Sequence, residues 1–157
     1  MATSEYRVTM RWVGNDGRGT AELETFGRDG ELSSDGLPTI PTSSSPDHAG
    51  SAGGWTPEDL LAGAVSQCQM LWFLHLCAKN EIVVQSYVDD VVATLKVKGS
   101  KGTVSSIALN VSVEVSSGDL TLAESLFTKA GELCYVARSL SSPVTHTLSI
   151  TSVPVPG

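Results

Sequence analysis

Residues 55–79 read WTPEDLLAGAVSQCQMLWFLHLCAK, and this stretch decides the fold. It opens as helices open. Thr56 suits the N-cap, Pro57 the first helical position, and Glu58 and Asp59 the positive end of the helix dipole. The helix is expected to run to about Lys79, where Asn80 stops it. At about 1.5 Å per residue that is roughly 34 Å of helix. Apolar side chains occupy nearly every face, so burial on most sides is expected. Ser66, Gln67, Gln69 and His75 interrupt the run, which marks a buried core helix rather than a membrane span.

Strand patterns flank this helix. Residues 5–13 alternate, with Tyr6, Val8, Met10 and Trp12 on one face and Arg7, Thr9 and Arg11 on the other, as in a half-buried strand. Asn15-Asp16-Gly17 predicts a turn into a second strand over 18–26, and Arg28-Asp29-Gly30 a further turn before a short strand near 31–34. Residues 36–54 are rich in Ser, Pro and Gly without periodicity and read as a flexible loop. Beyond the helix, residues 86–98 and 103–115 form an expected hairpin. Its second arm sets Ile107, Leu109, Val111, Val113 and Val115 against Ala108, Asn110, Ser112 and Glu114. A second helix opens at a capping box, Thr121-x-x-Glu124, and carries Cys134 and Arg138 before Ser141-Ser142-Pro143 ends it. A last strand covers 144–151. The order is three strands, helix, two strands, helix, strand, which is an α+β chain.

The totals narrow the class of function. A chain of 157 residues fits a single domain, 1–157, with a substantial core. At 41% hydrophobic and 17% charged it is globular rather than disordered. A net charge of −7 argues against nucleic acid and anionic membrane as partners. No basic segment followed by an apolar one opens the chain, so no secretory signal is expected. Three cysteines without a Cys-x-x-Cys make a poor disulfide framework and a poor zinc site. Reactive thiols in a cytoplasmic protein fit better.

Two of those thiols are placed for chemistry. Cys68 and Cys134 sit in different helices, each with polar neighbours, and folding can bring them together. Two core thiols without a role is the plain alternative. Cys77 lies about two and a half turns from Cys68, on the opposite side of the same helix, and reads as packing. A nucleophilic thiol needs a cation, because a free thiol is only slightly ionised at neutral pH. Between Asp29 and Ala78 there is no Lys or Arg. The cation must come from elsewhere, and the candidates are Arg7, Arg11, Arg18, Arg28 and Arg138. Arg7 and Arg11 leave the polar face of a strand and are expected to be solvated. Glu58 is the acidic partner such an arginine would use, or a first-turn acid serving the helix dipole. It lies about 15 Å from Cys68 along the helix. His48, His75 and His146 show no metal-ligand spacing, and His75 reads as a core or interface residue. No serine-hydrolase signature, phosphate-binding glycine loop or basic patch is present.

Trp12-Val13-Gly14, Phe26-Gly27-Arg28-Asp29-Gly30, Pro57-Glu58-Asp59-Leu60-Leu61 followed by Cys68, and Cys134-Tyr135-Val136-Ala137-Arg138-Ser139-Leu140 together resemble the OsmC/Ohr family of organic hydroperoxide reductases. The segment from Ser66 to His75 is similar to the OsmC-like branch. The resemblance covers nearly the whole chain and is weakest over 36–54. It implies an α+β fold of order βββ-α-ββ-α-β, assembled as an intertwined homodimer with the cysteine-bearing helices buried at its centre. It implies a peroxidase in oxidative and osmotic stress defence, with Cys68 as the peroxidatic thiolate and Cys134 as the resolving thiol. Arg28 would stabilise the thiolate, with Arg18 as its rival, and Glu58 would hold the arginine. Met70, Leu71, Trp72, Phe73 and Tyr135 would line an apolar pocket, or else be core. No cofactor or metal is implied. The implied partners are a second copy of the chain, an organic hydroperoxide and an external dithiol such as a lipoylated protein. Tyr135 stands where the family often has proline, and Gly131 where OsmC-like members often have histidine. The competing expectation is a non-catalytic OsmC-like dimer, a small-molecule binding or structural module with inert thiols.

Overall fold

In the computed structural model, residues 3–155 are described. They divide into two compact units, one ending at Leu60 and one beginning at Leu61. The first unit carries a small antiparallel sheet of β1 (Thr9–Trp12), β2 (Gly30–Ser33) and β3 (Ile40–Thr42), in that order. Three strands precede the long helix, as expected, but they are not the three expected. β1 pairs directly with β2, Trp12 facing Gly30, and no strand forms over 18–26. The residues there fold onto themselves instead. The Asn15 side chain accepts from the backbone N–H groups of Gly17 and Gly19, both at 2.9 Å, and the Arg18 side chain closes on Asp16. Such local side-chain bonds compete with a ladder and win here.

The loop expected over 36–54 is also organised. It contains β3 and a 3-10 turn, Pro46–His48. Its ends are tied where Ser43 N–H donates to Trp55 O at 3.1 Å and Trp55 N–H to Pro41 O at 2.9 Å. The β1 face expected to be half-buried is not covered in the single chain. Tyr6, Val8, Met10 and Trp12 are between 42% and 92% exposed.

In the second unit, the sheet is built around β6 (Lys101–Ser117). β4 (Val83–Asp89) and β5 (Val92–Lys98) pair antiparallel with successive lengths of β6, and β7 (Val144–Ser152) pairs with it in parallel. Val111–Val115 pair with both β4 and β7, so those two strands occupy opposite edges of β6. The expected single arm 86–98 is therefore two strands. The ladder lapses at Asp90-Val91 because side chains take its hydrogen bonds. Asn110 N–H donates to Asp89 Oδ1 at 2.9 Å, and Asn110 Nδ2 donates to Asp90 O at 2.8 Å.

Helix α1 spans Pro57–Lys79. Its start is a reciprocal cap: Asp59 N–H donates to Thr56 Oγ1 at 3.2 Å, and Thr56 N–H to Asp59 Oδ2 at 3.0 Å. Helix α2 spans Leu120–Leu133. Its cap is Asp119, which accepts from Thr121 and Leu122 N–H at 2.8 and 3.1 Å, so the expected Thr121–Glu124 box is not used. An aspartate one residue before the first helical turn outcompetes a hydroxyl inside it.

The core is continuous. Ile107, Leu109, Val111, Val113 and Val115, the alternating face of β6, are all buried with Val65, Phe73 and Cys77 of α1 and Ala123, Phe127 and Ala130 of α2. Phe73 meets Phe127 edge to face at 5.4 Å and Tyr87 at 6.0 Å. Burial of an aromatic of this kind stabilises by about 1.5–3 kcal/mol. Yet α1 does not lie buried on most sides. It buries one stripe, Ala62, Val65, Gln69, Phe73 and Cys77, while Leu71 is 55% exposed. By length and apolarity alone α1 is able to cross a membrane; its packed stripe and internal polar residues identify it as a core helix.

Candidate active site at a helix break

Cys134 does not sit inside a helix. Helix α2 stops at Leu133, Cys134 turns extended (φ −63°, ψ 108°), and a short α3, Tyr135–Arg138, follows. The helical bond is replaced by a tighter one, Cys134 N–H to Gly131 O at 3.3 Å. The sulfur itself caps the next turn: Ala137 N–H donates to Cys134 Sγ at 3.4 Å. On the other side Sγ reaches the Val65 carbonyl of α1 at 3.9 Å. The break thus turns the buried thiol toward α1, one turn before Cys68.

The fold brings the two thiols near one another. Cys134 is wholly buried, Cys68 is half-buried, and both are free. They are close enough to perturb one another. Burial above all pushes the Cys134 thiol up, the Ala137 N–H pulls it the other way, and the neighbouring Cys68 sulfur adds to the rise. Cys77 is separate, packed in the core, and burial pushes its thiol up to about 11. Among the described residues, no cluster of His, Cys, Asp and Glu is arranged to hold a metal ion.

The apolar residues around the thiols divide between core and surface. Phe73 belongs to the core. Trp72, one turn beyond Cys68, meets Tyr135 edge to face at 5.6 Å and His75 at 5.9 Å. Tyr135 and Leu71 are exposed, and Met70 is half-buried. In the sequence Gln69 only interrupts the apolar run. Its side chain is buried, its Nε2 has no partner among the described residues, and its amide faces Gly131, where a Cβ would meet it at 3.5–3.7 Å. The available signal was a glycine inside a helical pattern and two glutamines, Gln67 and Gln69, in an apolar run.

Of the candidate arginines, Arg7, Arg11, Arg18 and Arg28 lie in the first unit and Arg138 in the second, at the end of α3. Arg18 is committed to Asp16 at 2.7 Å, and Arg7 to Glu5 at 2.9 Å. Arg28 is half-buried and has no acidic partner among the described residues. Its guanidinium stacks on the Phe26 ring at 3.7 Å and donates to the carbonyls of Phe26 and, at 2.8 Å, Leu23. The Arg28 turn is closely packed. Gly14 and Gly27 touch so closely that a Cβ on Gly14 would lie 2.3 Å from the Gly27 carbonyl oxygen, and Trp12 Nε1 donates to that oxygen at 2.7 Å. Glu58 is half-buried on the first turn of α1 and forms no ion pair with Arg28 within the chain.

A family model described as OsmC-like protein matches residues 49–149, which include both thiols and Glu58. The chain belongs to the OsmC family. Arg28 lies outside the matched stretch. Among solved structures, an OsmC-like protein of unknown function from Vibrio cholerae is 26% identical over 94% of this chain and 100% of its own, with a TM-score of 0.84. An organic hydroperoxide resistance protein OsmC from Legionella pneumophila (20% identical, 95% and 99% covered, TM-score 0.64) shares the fold. So does the organic hydroperoxide resistance protein OhrB of Bacillus subtilis (22%, 92% and 96%, 0.58). No curated protein matches. The α+β architecture is thus that of the OsmC proteins, a family that includes hydroperoxide resistance proteins.

Proposed function

We propose that this OsmC protein is a cysteine peroxidase that reduces organic hydroperoxides to alcohols. The observation that carries the reading is the pairing of a half-exposed Cys68 with a buried, unlinked Cys134 at a helix break. The Cys68 thiolate attacks the terminal peroxide oxygen and the O–O bond breaks. The alkoxide leaves with a proton as alcohol, and Cys68 becomes a sulfenic acid. The Cys134 sulfur displaces the sulfenic oxygen, its thiol proton leaves with the hydroxyl as water, and a Cys68–Cys134 disulfide forms. An external dithiol then returns both thiols by exchange. The buried position of Cys134 suits a thiol reserved for one partner.

Arg28 is the proposed thiolate partner. Its freedom from any carboxylate among the described residues favours it over Arg18, which Asp16 already holds. Glu58 would secure Arg28 across a homodimer, as Glu58 of the partner subunit. The uncovered apolar faces of α1 and β1 support such a dimer. Leu71, Tyr135, Met70 and Trp72 would make an apolar approach to Cys68, with Phe73 behind them in the core. A cytoplasmic role in peroxide and osmotic stress, with a lipoylated protein or similar dithiol as reductant, completes the proposal.

The test is a stoichiometric reaction with an organic hydroperoxide, followed by peptide mass spectrometry. The expected product is a Cys68–Cys134 disulfide at one peroxide consumed per chain. Thiols that react only after unfolding would instead identify a binding or structural module, and a disulfide involving Cys77 would refute the assignment.

A further inference from the structure

The loop before α1 makes a long-range contact at Ser51. Ser51 Oγ donates to Asp29 Oδ1 at 2.6 Å, across 22 residues of sequence. The loop is itself braced, since Ser51 N–H donates to Ser43 Oγ at 2.9 Å and Ser43 N–H to Trp55 O at 3.1 Å. Asp29 is gripped on its backbone as well: Val13 and Gly14 N–H donate to its carbonyl at 2.9 and 3.0 Å. One residue, therefore, ties three segments together, the end of β1, the turn 26–30 and the loop 43–55. That residue is the immediate neighbour of Arg28.

We infer that the Ser51–Asp29 hydrogen bond is a latch that positions Arg28, making Ser51 and Asp29 positioning residues for the thiol site. This rests on the role proposed above for Arg28. The physical reason lies in what Arg28 lacks. Its guanidinium is held by two carbonyls and a ring face, with no carboxylate of its own chain among the described residues, so Glu58 of the partner subunit would meet it only where the turn presents it. The turn from which it projects is held on one side by the Gly14–Gly27 contact and on the other by Asp29. The bond from Ser51 joins a hydroxyl to an ionised carboxylate, the stronger class of hydrogen bond. The hydroxyls of Ser51 and then Ser43 hold the Asp29 carboxyl below its usual range, so it is charged throughout the neutral region. The same loop runs through Trp55 into the cap at Thr56, so the turn that carries Arg28 and the first turn that carries Glu58 are braced by one strap.

The experiment follows Cys68 alkylation by iodoacetamide against pH, read on the Cys68 peptide by mass spectrometry in the full-length protein. Ser51→Ala is expected to slow alkylation of Cys68 on the acid side of the profile roughly tenfold. Ser51→Thr, which keeps the hydroxyl, restores the profile. In an Arg28→Gln background, Ser51→Ala is expected to add nothing, because the latch acts only through the arginine. If Arg28→Gln shifts the profile and Ser51→Ala does not, the latch is refuted while the role of Arg28 stands. If Ser51→Ala shifts the profile equally with and without Arg28, the latch is refuted in favour of a separate effect. If Arg28→Gln leaves the profile unchanged, the arginine is not the thiolate's partner and both readings fall.

Discussion

The three cysteines occupy three different environments, and each environment predicts a behaviour. Cys68→Ser is expected to abolish hydroperoxide consumption, whereas Cys134→Ser allows a single turnover and then leaves Cys68 as sulfinic acid, a gain of 32 Da that mass spectrometry reads. Cys77 makes a thermodynamic prediction. Burial raises its thiol to about 11, whereas an unfolded thiol titrates near 8.5. The native state holds a proton that the unfolded chain has lost, so this contribution to stability is complete below about pH 8.5 and fades as pH rises through about 11. Tyr87, raised by burial and then by the Asp89 carboxylate, acts in the same direction at still higher pH. Urea midpoints measured across the alkaline range are expected to fall, and less steeply in Cys77→Ala. The sequence separated Cys77 from the other two because nine residues along a helix reverse the face. It could not single out Gln69 or Asp29, whose surroundings are made by segments remote in the chain.

At the scale of elements, α1, the alternating face of β6 and the last strand were legible, because periodicity survives whatever packs against it. The 18–26 strand and the Thr121 cap were misread for one reason. Short polar side chains chose the local structure in both places: Asn15 gathered two backbone N–H groups, and Asp119 captured two more. The break at Cys134 was hidden as well, since Ala130, Cys134 and Ala137 keep a helical spacing across it. Asp119→Ala is expected to cost about 1 kcal/mol and to lower the melting temperature by about 2–4 °C in a chain of this size, measured by calorimetry. Glu124→Ala, which caps nothing, is expected to leave it within experimental error.

For the whole molecule, the exposed apolar residues of α1 and β1 matter most. A long helix that buries only one stripe in its own chain calls for a second covering surface, and a second copy of the chain supplies one under the proposed assembly. Sedimentation equilibrium is expected to find two chains per particle, and Leu71→Glu, which places a charge on the uncovered side of α1, to shift the mass toward one. A wild-type monomer with an intact fold would count against assembly. The layout of the larger sheet also has a consequence for biosynthesis. β6 is complete by Ser117, but the edge formed by Ile107–Val115 is closed only by β7, which ends at Ser152. While the ribosome is still adding those last residues, the stretch IALNVSVEV presents open backbone and a row of branched side chains. Nascent chains stalled before Val144 are therefore expected to precipitate or recruit chaperones, and pulse-labelled truncations would report it.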